Sequence, residues 1–358
     1  MIELASARIG WASYSEDFSV PGDRRRLAAY ARMRGLAYEQ ARLDRDYDVV
    51  LLTLGGDIPG WLAKRRRGGG RPRIVFELID SYLTQTGLLK RHAKGVGRFV
   101  EGKDSRLAPD FLETLRRACR EADIVLCSTL EQQEEIARLG GRALVSFDWF
   151  GDELGPPKTD HERGGRLKLV WEGQAATVSN LQQISGPLNA LTDEVELHVV
   201  TDPGLPRYLS RFGRRPSPEL LAGIECPIVF HPWQRDSFSR LITAADAAVI
   251  PIDADDAMMR GKPENKLVLL WKLGMPVLAG PSPAYRRAMA DAGLPMLCET
   301  GADWRGQFER LLAMSASELR QLGERGRAHA EKVYSAEAFC APFDEAFAAA
   351  GLRPQATQ

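Results

Sequence analysis

The sequence has few cysteines, no long apolar run and no excess of either charge, and each of these absences excludes a class of protein. Its five cysteines form no Cys-x-x-Cys pair, and their odd number does not fit a secreted disulfide framework. No stretch reaches the roughly 18 apolar residues that a membrane-spanning helix requires. The 48 basic and 48 acidic residues balance, so the uniform basic field of a dedicated nucleic-acid-binding protein is missing. We therefore expect no nucleic-acid partner.

The N-terminal segment also lacks the apolar core of a signal peptide. Together with the cysteine pattern, this favours the reducing cytoplasm as the location of the protein. What is present is typical of a globular enzyme, with 44% hydrophobic and 27% charged residues. At 358 residues the chain exceeds one ordinary domain of about 150 residues, so we expect two domains.

Short apolar, β-branched-rich runs alternate with helical patterns along the whole chain. This alternation predicts parallel sheets with helices on both faces, which is the doubly wound, Rossmann-like α/β class. The expected strands are Arg8–Ala12, Val49–Thr53, Ile74–Ile79, Ile124–Cys127, Ala143–Phe147, Leu167–Trp171, Glu196–Val200, Ile228–Phe230, Ala247–Ile250, Val277–Ala279 and Met296–Cys298. Residues 151–165 combine Pro, Gly and mixed charge, as an exposed linker does. We predict an N-terminal domain over residues 1–150, a C-terminal domain over 166–335, and a terminal segment over 336–358 with helical spacing at Ala336–Ala349.

A helix predicted to begin near Lys262 carries the strongest functional signal. Pro263 suits its first position and Gly274 suits its end. Lys262 and Lys266 would then lie four residues apart at the positive end of the helix dipole, where two cations are unfavourable unless an anion binds. A helix N-terminus also offers free N–H groups to phosphate. The alternative is that Glu264 screens two solvated lysines.

The run from Pro263 resembles the donor-site signature of GT-B glycosyltransferases with a family-four type, or group 1, donor domain. In that signature a Pro-x-Lys opens a helix that ends in Gly-x-Pro-Val, and Pro263–Lys266 and Gly274–Val277 match the two ends. Residues 167–180 resemble the opening strand and glycine loop of such a domain, and residues 229–249 resemble its base-binding segment. The resemblance implies the GT-B fold, in which two Rossmann-like domains face a central cleft and the final helix packs back on the first domain.

The resemblance further implies a glycosyltransferase that moves a sugar from a nucleotide-diphosphate sugar to a hydroxyl group. The N-terminal domain would bind the acceptor, and the acceptor class would be a cell-surface polysaccharide or a lipid-linked glycan. Lys266 would act in catalysis by stabilising the leaving diphosphate, with no metal and no cofactor. The donor-binding residues would be Gly173, Gln174, Trp233, Lys262, Glu264, Asn265 and Lys266.

Two positions depart from the usual donor-site pattern. Leu269 stands where many such transferases place an acidic residue for the donor ribose, so that contact would fall to another group such as Glu264. Gly173 is followed by Gln174, where many retaining enzymes have Arg, so the anomeric outcome stays open. Trp233 fits either a nucleobase platform or the core. The acidic run around Asp255 fits a solvated loop better than a metal site.

Three arginines follow the first predicted strand of the N-terminal domain. Asp23 fits an N-cap, and Arg24, Arg25 and Arg26 would crowd the first helical turn, where cations invite an anion such as a phosphate of donor or acceptor. We expect at least one of the three guanidinium groups to point inward. The alternative is that all three face solvent and that Asp23 compensates their charge.

Asp80 closes another predicted strand, where its carboxylate could take a proton from an acceptor hydroxyl or could cap the next segment. The residues after it mix apolar and basic side chains, as an interfacial helix does, although ordinary surface helices show the same pattern. His92 in this stretch is a further acceptor-site candidate. Peripheral contact with the inner membrane surface would follow from the interfacial interpretation. The basic, Gly-rich stretch Lys64–Arg73 fits a solvated loop or a contact with anionic lipid or acceptor.

Two rival functions remain compatible with these patterns. One is a GT-B protein that hydrolyses or epimerises a nucleotide sugar, and the other is a non-catalytic protein that binds a nucleotide or carbohydrate. Product analysis without an acceptor separates the first rival from a transferase, and release of nucleoside diphosphate argues against the second.

Overall fold

The computed structural model describes residues 2–18, 20–84, 87–202, 204–206, 214–253 and 255–353. Contacts divide the chain into two compact units. The first comprises Met1–Trp149, Gly261–Pro263 and Ser335–Gln358, and the second comprises Phe150–Arg260 and Glu264–Tyr334.

Parallel strands form the centre of the first unit. They are β1 (Ile2–Glu3), β2 (Ile9–Ala12), β3 (Glu39–Gln40), β4 (Val49–Leu52), β5 (Arg73–Leu78), β6 (Ile124–Cys127), β7 (Ala143–Val145) and, from the chain's end, β15 (Leu352–Arg353). Six of them make one sheet in the order β3-β2-β4-β5-β6-β7, and β1 pairs separately with β15. In register, Gly10 lies opposite Val50 and Val75 lies opposite Ile124.

Helices cover both faces of this sheet. They are α1 (Pro21–Arg25), α2 (Leu27–Arg34), α3 (Ile58–Arg67), α4 (Leu88–Val100), α5 (Phe111–Glu121), α6 (Leu130–Arg138) and α14 (Ala336–Ala349). Alternate residues of β4 enter two different cores, because successive side chains of a strand point to opposite faces. Val50 packs in the core with Trp61 of α3, whereas Leu51 packs in the core with Phe343 of α14. The apolar strands are therefore buried on both sides, as parallel sheets require.

The second unit repeats this architecture with a smaller sheet. Its strands are β8 (Leu167–Glu172), β9 (Val195–Thr201), β10 (Gly204–Pro206), β11 (Arg214–Pro216), β12 (Ile228–Pro232), β13 (Ala247–Ile250) and β14 (Val277–Ala279). Five are parallel in the order β12-β9-β8-β13-β14, while β10 and β11 form a separate antiparallel pair. Its helices are α7 (Ser185–Asn189), α8 (Phe238–Thr243), α9 (Ala257–Arg260), α10 (Asn265–Lys272), α11 (Pro283–Asp291), α12 (Gly301–Ala313) and α13 (Ala316–Val333).

Short 3-10 helices complete the described elements, at Leu4–Ser6, Tyr82–Thr84, Ala175–Ile184 and Ser217–Leu221. Among the helices that the structure describes, none combines the length and the apolar character needed to cross a bilayer.

The predicted α/β class is confirmed, and ten of the eleven expected runs form strands within two residues of their predicted limits. The exception is Met296–Cys298, where only a single bridge joins Leu297 to Ala279. The prediction missed β3 because its two residues, Glu39 and Gln40, are polar and exposed.

Most residues of the segment 151–165, predicted to be an exposed linker, are exposed, and hydrogen bonds tie the segment to the second unit. The Lys158 amide donates to the Leu273 carbonyl at 2.8 Å, and Arg163 donates to the Leu312 carbonyl at 2.7 Å. His161 is buried. Proline and glycine thus indicate irregular backbone here, and the packing of that backbone depends on distant residues.

The basic stretch Lys64–Arg73 is not a continuous loop either. Its first four residues are the last turn of α3, where cations interact favourably with the negative end of the helix dipole. The turn then passes through Gly68 to the start of β5 at Arg73.

Candidate functional site

The carboxyl edge of the second sheet brings two of the predicted donor residues into contact. Gly173 directly follows β8, and Lys266 occupies the second position of α10. A Cβ atom added to Gly173 would lie 2.5 Å from the Lys266 Nζ, so the missing side chain leaves room for the ammonium group. That ammonium also lies 4.6 Å from the centroid of the Trp171 ring. The aromatic face partly offsets the cost of holding a cation at the positive end of a helix.

The start of α10 differs from the predicted one. The helix begins at Asn265 with Glu264 as its N-cap residue, so Pro263 and Lys262 precede it. Its contacts assign Lys262 to the first unit. The predicted pairing of Lys262 and Lys266 four residues apart on one helix is therefore wrong, because proline tolerates several positions around a helix start.

The end of α10 matches the prediction. Gly274 has a φ of 71°, the left-handed conformation in which glycine ends helices at low cost. The Met275 amide donates to the Leu270 carbonyl at 3.1 Å, as in a Schellman cap. Local chemistry thus fixes the C-terminal end of the helix that carries Lys266.

Glu264 is anchored from inside the second unit. Its Oε1 accepts a hydrogen bond of 3.0 Å from the hydroxyl of Tyr334. Burial and the nearby Glu264 carboxylate raise the pKa of Tyr334, so this hydroxyl remains a hydrogen-bond donor. No side-chain cap bond from Glu264 to α10 is present. The carboxylate therefore sits beside the helix start with one oxygen held by tyrosine.

The other predicted donor residues lie at the same edge. Trp233 directly follows β12, is half-buried, and stacks on Phe238 with ring centroids 5.4 Å apart. Gln174 is exposed and stands as the N-cap of the 3-10 helix after β8. Asn265 is half-buried at the first position of α10. Trp233 and Gln174 thus follow strands of one sheet, β12 and β8, at its carboxyl edge, and Asn265 belongs to the segment that follows β13 in the same sheet.

In the first unit the arginine cluster folds differently from the prediction. The helix begins at Pro21 with Val20 as N-cap, so Asp23 is not the cap. Instead the buried Asp23 carboxylate accepts hydrogen bonds from the Tyr14 amide at 2.8 Å and from the Ser15 hydroxyl at 2.6 Å. Arg24 and Arg25 are half-buried on α1.

Arg26 does point inward, but it meets carboxylates rather than a place for an anion. It is fully buried, with Nε donating to Glu77 at 2.6 Å and Nη1 donating to Asp148 at 3.2 Å. Its remaining amino group contacts the hydroxyl of Ser146. Burial alone would lower the pKa of Arg26, and the two carboxylates raise it instead. The prediction that Arg26 helps to bind an anion is therefore corrected, because its donors already have partners.

The carboxylate network around Arg26 was missed by sequence reasoning. Glu77 lies fully buried in β5, and it also accepts a hydrogen bond of 2.9 Å from the Tyr14 hydroxyl. Burial raises the pKa of Glu77, while Arg26 opposes that rise. One available signal was the glutamate inside the apolar run IVFEL, since a buried charge requires a partner. Its partner could not be found locally because Arg26 lies 51 residues away.

Asp80 lies two residues beyond β5 and is half-buried. Burial raises the pKa of its carboxyl group, and so does Asp148, whereas Lys262 and Lys94 lower it. The next residue, Ser81, donates a hydrogen bond of 2.6 Å to the Gly261 carbonyl, which ties the segment before α10 to this edge. Burial thus makes the Asp80 carboxylate more basic, although Lys262 and Lys94 oppose this effect.

In α4, Lys94 interacts electrostatically with Asp80, and the predicted acceptor candidate His92 lies on the same helix. His92 is exposed, and its Nδ1 lies 2.8 Å from the Leu88 carbonyl of its own helix. The Lys94 ammonium lies 4.1 Å from the ring centroids of both Tyr82 and Phe111. Burial lowers the pKa of Lys94 to about 8. Nothing in the sequence around His92 indicated that Lys94 would contact the ring of Tyr82.

In the described residues, no group of three or more His, Cys, Asp or Glu is arranged to hold a metal ion. Around Asp255, the acidic run makes local bonds: the Asp255 amide donates to the Asp253 carboxylate at 3.0 Å, and the Met258 amide donates to Asp256 at 2.8 Å. These carboxylates act as turn and cap acceptors.

No protein-family model matches the sequence, and a comparison with curated protein sequences gives no match. Solved structures do match. The structure of HepE from Anabaena with UDP and glucose has a TM-score of 0.64 and 11% identity, covering 96% of this chain and 99% of that one. WaaG, a glycosyltransferase involved in lipopolysaccharide biosynthesis, has a TM-score of 0.58 and 14% identity, covering 96% of this chain and 100% of that one.

TarM from S. aureus, in a structure with UDP, has a TM-score of 0.57 and 11% identity over 84% of this chain; the chain spans about half of TarM, with 55% covered. The six-stranded sheet of the first unit and the five-stranded sheet of the second are both parallel and covered by helices, as Rossmann-like units are. Taken with these neighbours, which are GT-B glycosyltransferases, the two units identify the architecture of this chain as the GT-B fold.

Proposed function

We propose that this protein is a glycosyltransferase that moves a sugar from a nucleotide-diphosphate sugar to a hydroxyl acceptor. The observation that carries the proposal is the Lys266 ammonium, held at the N-terminus of α10 against Gly173 and the Trp171 ring. A cation at the positive end of a helix is favourable when an anion such as diphosphate binds there. The structural neighbours support this class of function, because HepE has been crystallised with UDP-glucose and TarM with UDP.

The reaction would form a bond between the acceptor oxygen and the anomeric carbon and break the bond from that carbon to the diphosphate. The bonding electrons leave with the nucleoside diphosphate, which gains negative charge in the transition state. Lys266 and the N-terminal N–H groups of α10 would stabilise that charge electrostatically. We therefore propose a hexosyltransferase-like, metal-independent mechanism without a cofactor, which full activity in the presence of EDTA would support.

Trp233 would stack on the nucleobase with the ring face that is not packed on Phe238. Glu264, held by Tyr334, would accept a hydrogen bond from the donor ribose in place of the acidic residue that Leu269 replaces. Gln174, Asn265 and Lys262 complete the proposed donor contacts.

The acceptor would bind at the carboxyl edge of the first sheet. Asp80 is the proposed general base of an inverting reaction, because burial raises its pKa and so makes the carboxylate a stronger proton acceptor. Arg24 and Arg25, both half-buried on α1, would hold an anionic group of the substrate. The involvement of WaaG in lipopolysaccharide biosynthesis supports a cell-surface polysaccharide or lipid-linked glycan as the acceptor class.

A lipid-linked acceptor requires access to a membrane, and α4 offers a surface for peripheral contact. Its Leu88, Leu89 and Val100 are 62%, 87% and 77% exposed, beside the exposed Lys90. Apolar side chains next to cations suit the surface of an anionic bilayer. The five cysteines are all free and buried, which fits the reducing cytoplasm, so we propose the cytoplasmic side of the inner membrane as the location.

The test is a thermal-shift screen against UDP, GDP, ADP and dTDP sugars, followed by product analysis with and without extracted glycan acceptors. A ligand at 100 times its dissociation constant should stabilise the fold by about 2.7 kcal/mol. We expect one donor to stabilise the protein and sugar transfer to depend on an acceptor. Sugar release or epimerisation without an acceptor would instead favour a hydrolase or epimerase, and no binding by any nucleotide sugar would contradict the proposal.

A further inference from the structure

A cavity of about 480 Å³ opens in the first unit, and none of the proposed donor or acceptor residues lines it. Its wall includes Arg8, Asp48 and Pro72, which directly precede β2, β4 and β5. The strands are parallel, so all three residues lie at the amino edge of the sheet. Asp80 follows a strand and therefore belongs to the carboxyl edge. The cavity and the proposed acceptor residues thus lie at opposite edges of the same sheet.

Most cations of the neighbouring stretch Lys64–Arg73 have acidic partners. Arg65 and Arg73 both pair with Asp123, the latter at 2.8 Å. Arg66 lies 3.9 Å from Glu121. These arginines need no external anion, and none of the three lines the cavity.

Arg67 and Arg71 do line the cavity, and they have no carboxylate within ion-pair distance among the residues that the structure describes. The exposed side chain of Arg8 joins them from a distant part of the sequence and also lacks such a carboxylate there. The dipole of α3 accounts for a cation at Arg67, which is in its last turn. It does not account for Arg8 and Arg71, which lie outside any helix. Arg8, Arg67 and Arg71, which lack acidic partners among the described residues, therefore all line the cavity.

Two acidic residues also line the cavity, and both already have partners. Asp48 accepts a hydrogen bond of 2.9 Å from the Arg8 amide. Asp46 lies 3.1 Å from the Lys64 ammonium, which also donates to the Leu43 carbonyl at 3.1 Å. The wall therefore carries four cations against two carboxylates, and the three arginine side chains are the groups left to meet a ligand.

Guanidinium groups bind phosphate oxygens in pairs of parallel hydrogen bonds, which makes arginine well suited to phosphate. Cavities that hold small organic ligands measure about 300–1,000 Å³, which is well above the size of an inorganic phosphate ion. We propose that this cavity binds a soluble organic phosphate of sugar-phosphate or mononucleotide size, through Arg8, Arg67 and Arg71. The site is independent of the donor site of the second unit, and it would stand even if the proposed transferase activity failed.

The test is calorimetric titration with inorganic pyrophosphate, which carries the shared phosphate chemistry. Lys266→Ala serves as the background, because it weakens the proposed donor site on the other unit. We expect pyrophosphate to bind this variant still, and the additional changes Arg67→Gln and Arg71→Gln to weaken that binding by at least about tenfold per arginine, as expected for charge-assisted bonds. Arg66→Gln in the same background is the matched control, because it removes one charge from the adjacent residue of α3 outside the cavity, and it should change the affinity by less than about twofold.

Exposed side chains are replaced in each case, so thermal unfolding of the variants should remain close to that of the parent. Equal losses from Arg66→Gln and Arg67→Gln would overturn the proposal, since they would indicate general charge attraction. Absence of pyrophosphate binding in the Lys266→Ala background would also overturn it. Co-sedimentation with phosphatidylcholine vesicles, with and without phosphatidylglycerol, examines the lipid alternative. If the protein bound the vesicles through these arginines but did not bind free pyrophosphate, the proposal of a soluble ligand would be wrong and the site would bind a membrane surface.

Discussion

The helix that carries Lys266 in the second unit and the carboxylate network of the first unit differ in how far apart their parts lie in sequence. Lys266, its helix start and its helix end all fall within one short run of the chain. Arg26 instead reaches Glu77 across 51 residues and Asp148 across 122. The end of α10 is set by local capping chemistry at Gly274, whereas the carboxylate network forms only when distant strands assemble, and so does the contact of Lys266 with Gly173.

The two regions also differ in what their charges do. Arg26 and Glu77 are buried with side-chain exposures of 0% and 1%, so their charges satisfy each other and hold the fold. Lys266 is half-buried beside an aromatic ring, and its charge remains able to act on a ligand. An internal ion pair should therefore matter for stability, and the lysine should matter for binding.

The largest expected effect is on stability, from Glu77→Leu. The change leaves the buried guanidinium of Arg26 short of a carboxylate, and breaking such a pair costs about 3–5 kcal/mol. The free energy of unfolding, measured by urea denaturation, gives the effect. The double variant Arg26→Met with Glu77→Leu removes both charges and should lose less than the single variant. A double variant that is at least as unstable as the single one would contradict the internal role of the pair.

A smaller effect is expected from Gly173→Ala. The added Cβ would lie 2.5 Å from the Lys266 Nζ and 2.8 Å from the Trp171 ring, so a side chain must shift. Overpacking of this kind costs about 1–3 kcal/mol. Nucleoside-diphosphate binding should weaken as well, because the ammonium is displaced. Gly186→Ala is the matched control, since a Cβ there meets no atom within 4 Å. Unchanged stability and binding in Gly173→Ala would show that the lysine does not depend on this glycine.

Arg34→Ala should have a still smaller effect, although its partner is even more distant in sequence. Arg34 Nε donates to Asp344 at 3.1 Å across 310 residues, but the two side chains are 26% and 25% exposed. Partly exposed ion pairs contribute about 1 kcal/mol or less. A thermal unfolding series at low and high salt measures the loss and its screening. A loss as large as that of Glu77→Leu would mean that sequence separation, and not burial, decides the cost.

The last predicted effect is a pH dependence of the stability of the first unit. Burial lowers the folded-state pKa of Lys94 to about 8, below the unfolded value of about 10.4. Between these values the unfolded chain binds more protons, so the stability contribution rises with pH across this window. The wild type should therefore become more stable relative to Lys94→Met between about pH 8 and pH 10. Urea midpoints at both pH values test this, and a constant difference would show that Lys94 titrates normally.

The sequence predicted the fold well because parallel strands buried on both faces are continuous apolar runs that need no long-range information to recognise. β6 and β13 have the predicted limits, and Gly274 ends α10 as expected. The start of α10 was placed too early because Pro263 fits several positions at a helix N-terminus. Strand β3 was missed because its two residues are polar and therefore show no apolar pattern.

The candidate site of the first unit could not be predicted in the same way. Asp23 has the chemistry of an N-cap, but a helix that begins at Pro21 places it inside the first turn, where it binds the preceding loop instead. Arg26 was expected to bind an anion because three cations would crowd one helix start, and its partner Glu77 lies 51 residues away in β5. Lys94 looked like one of several basic surface residues, since its contact with Tyr82 depends on how α4 packs. Charges acquire their roles from neighbours that only the folded chain supplies.

The most direct test of the central claim is calorimetric titration of UDP, GDP, ADP and dTDP, and of the corresponding nucleosides, into the wild type and Lys266→Ala. Lys332→Ala, which removes an exposed lysine from α13 of the same unit, is the control. The account predicts that Lys266→Ala weakens binding of the preferred diphosphate by about 1.5–3 kcal/mol, with little change for the nucleoside or for the control variant. Equal losses for diphosphate and nucleoside, or unchanged diphosphate affinity, would contradict a phosphate-binding role for Lys266.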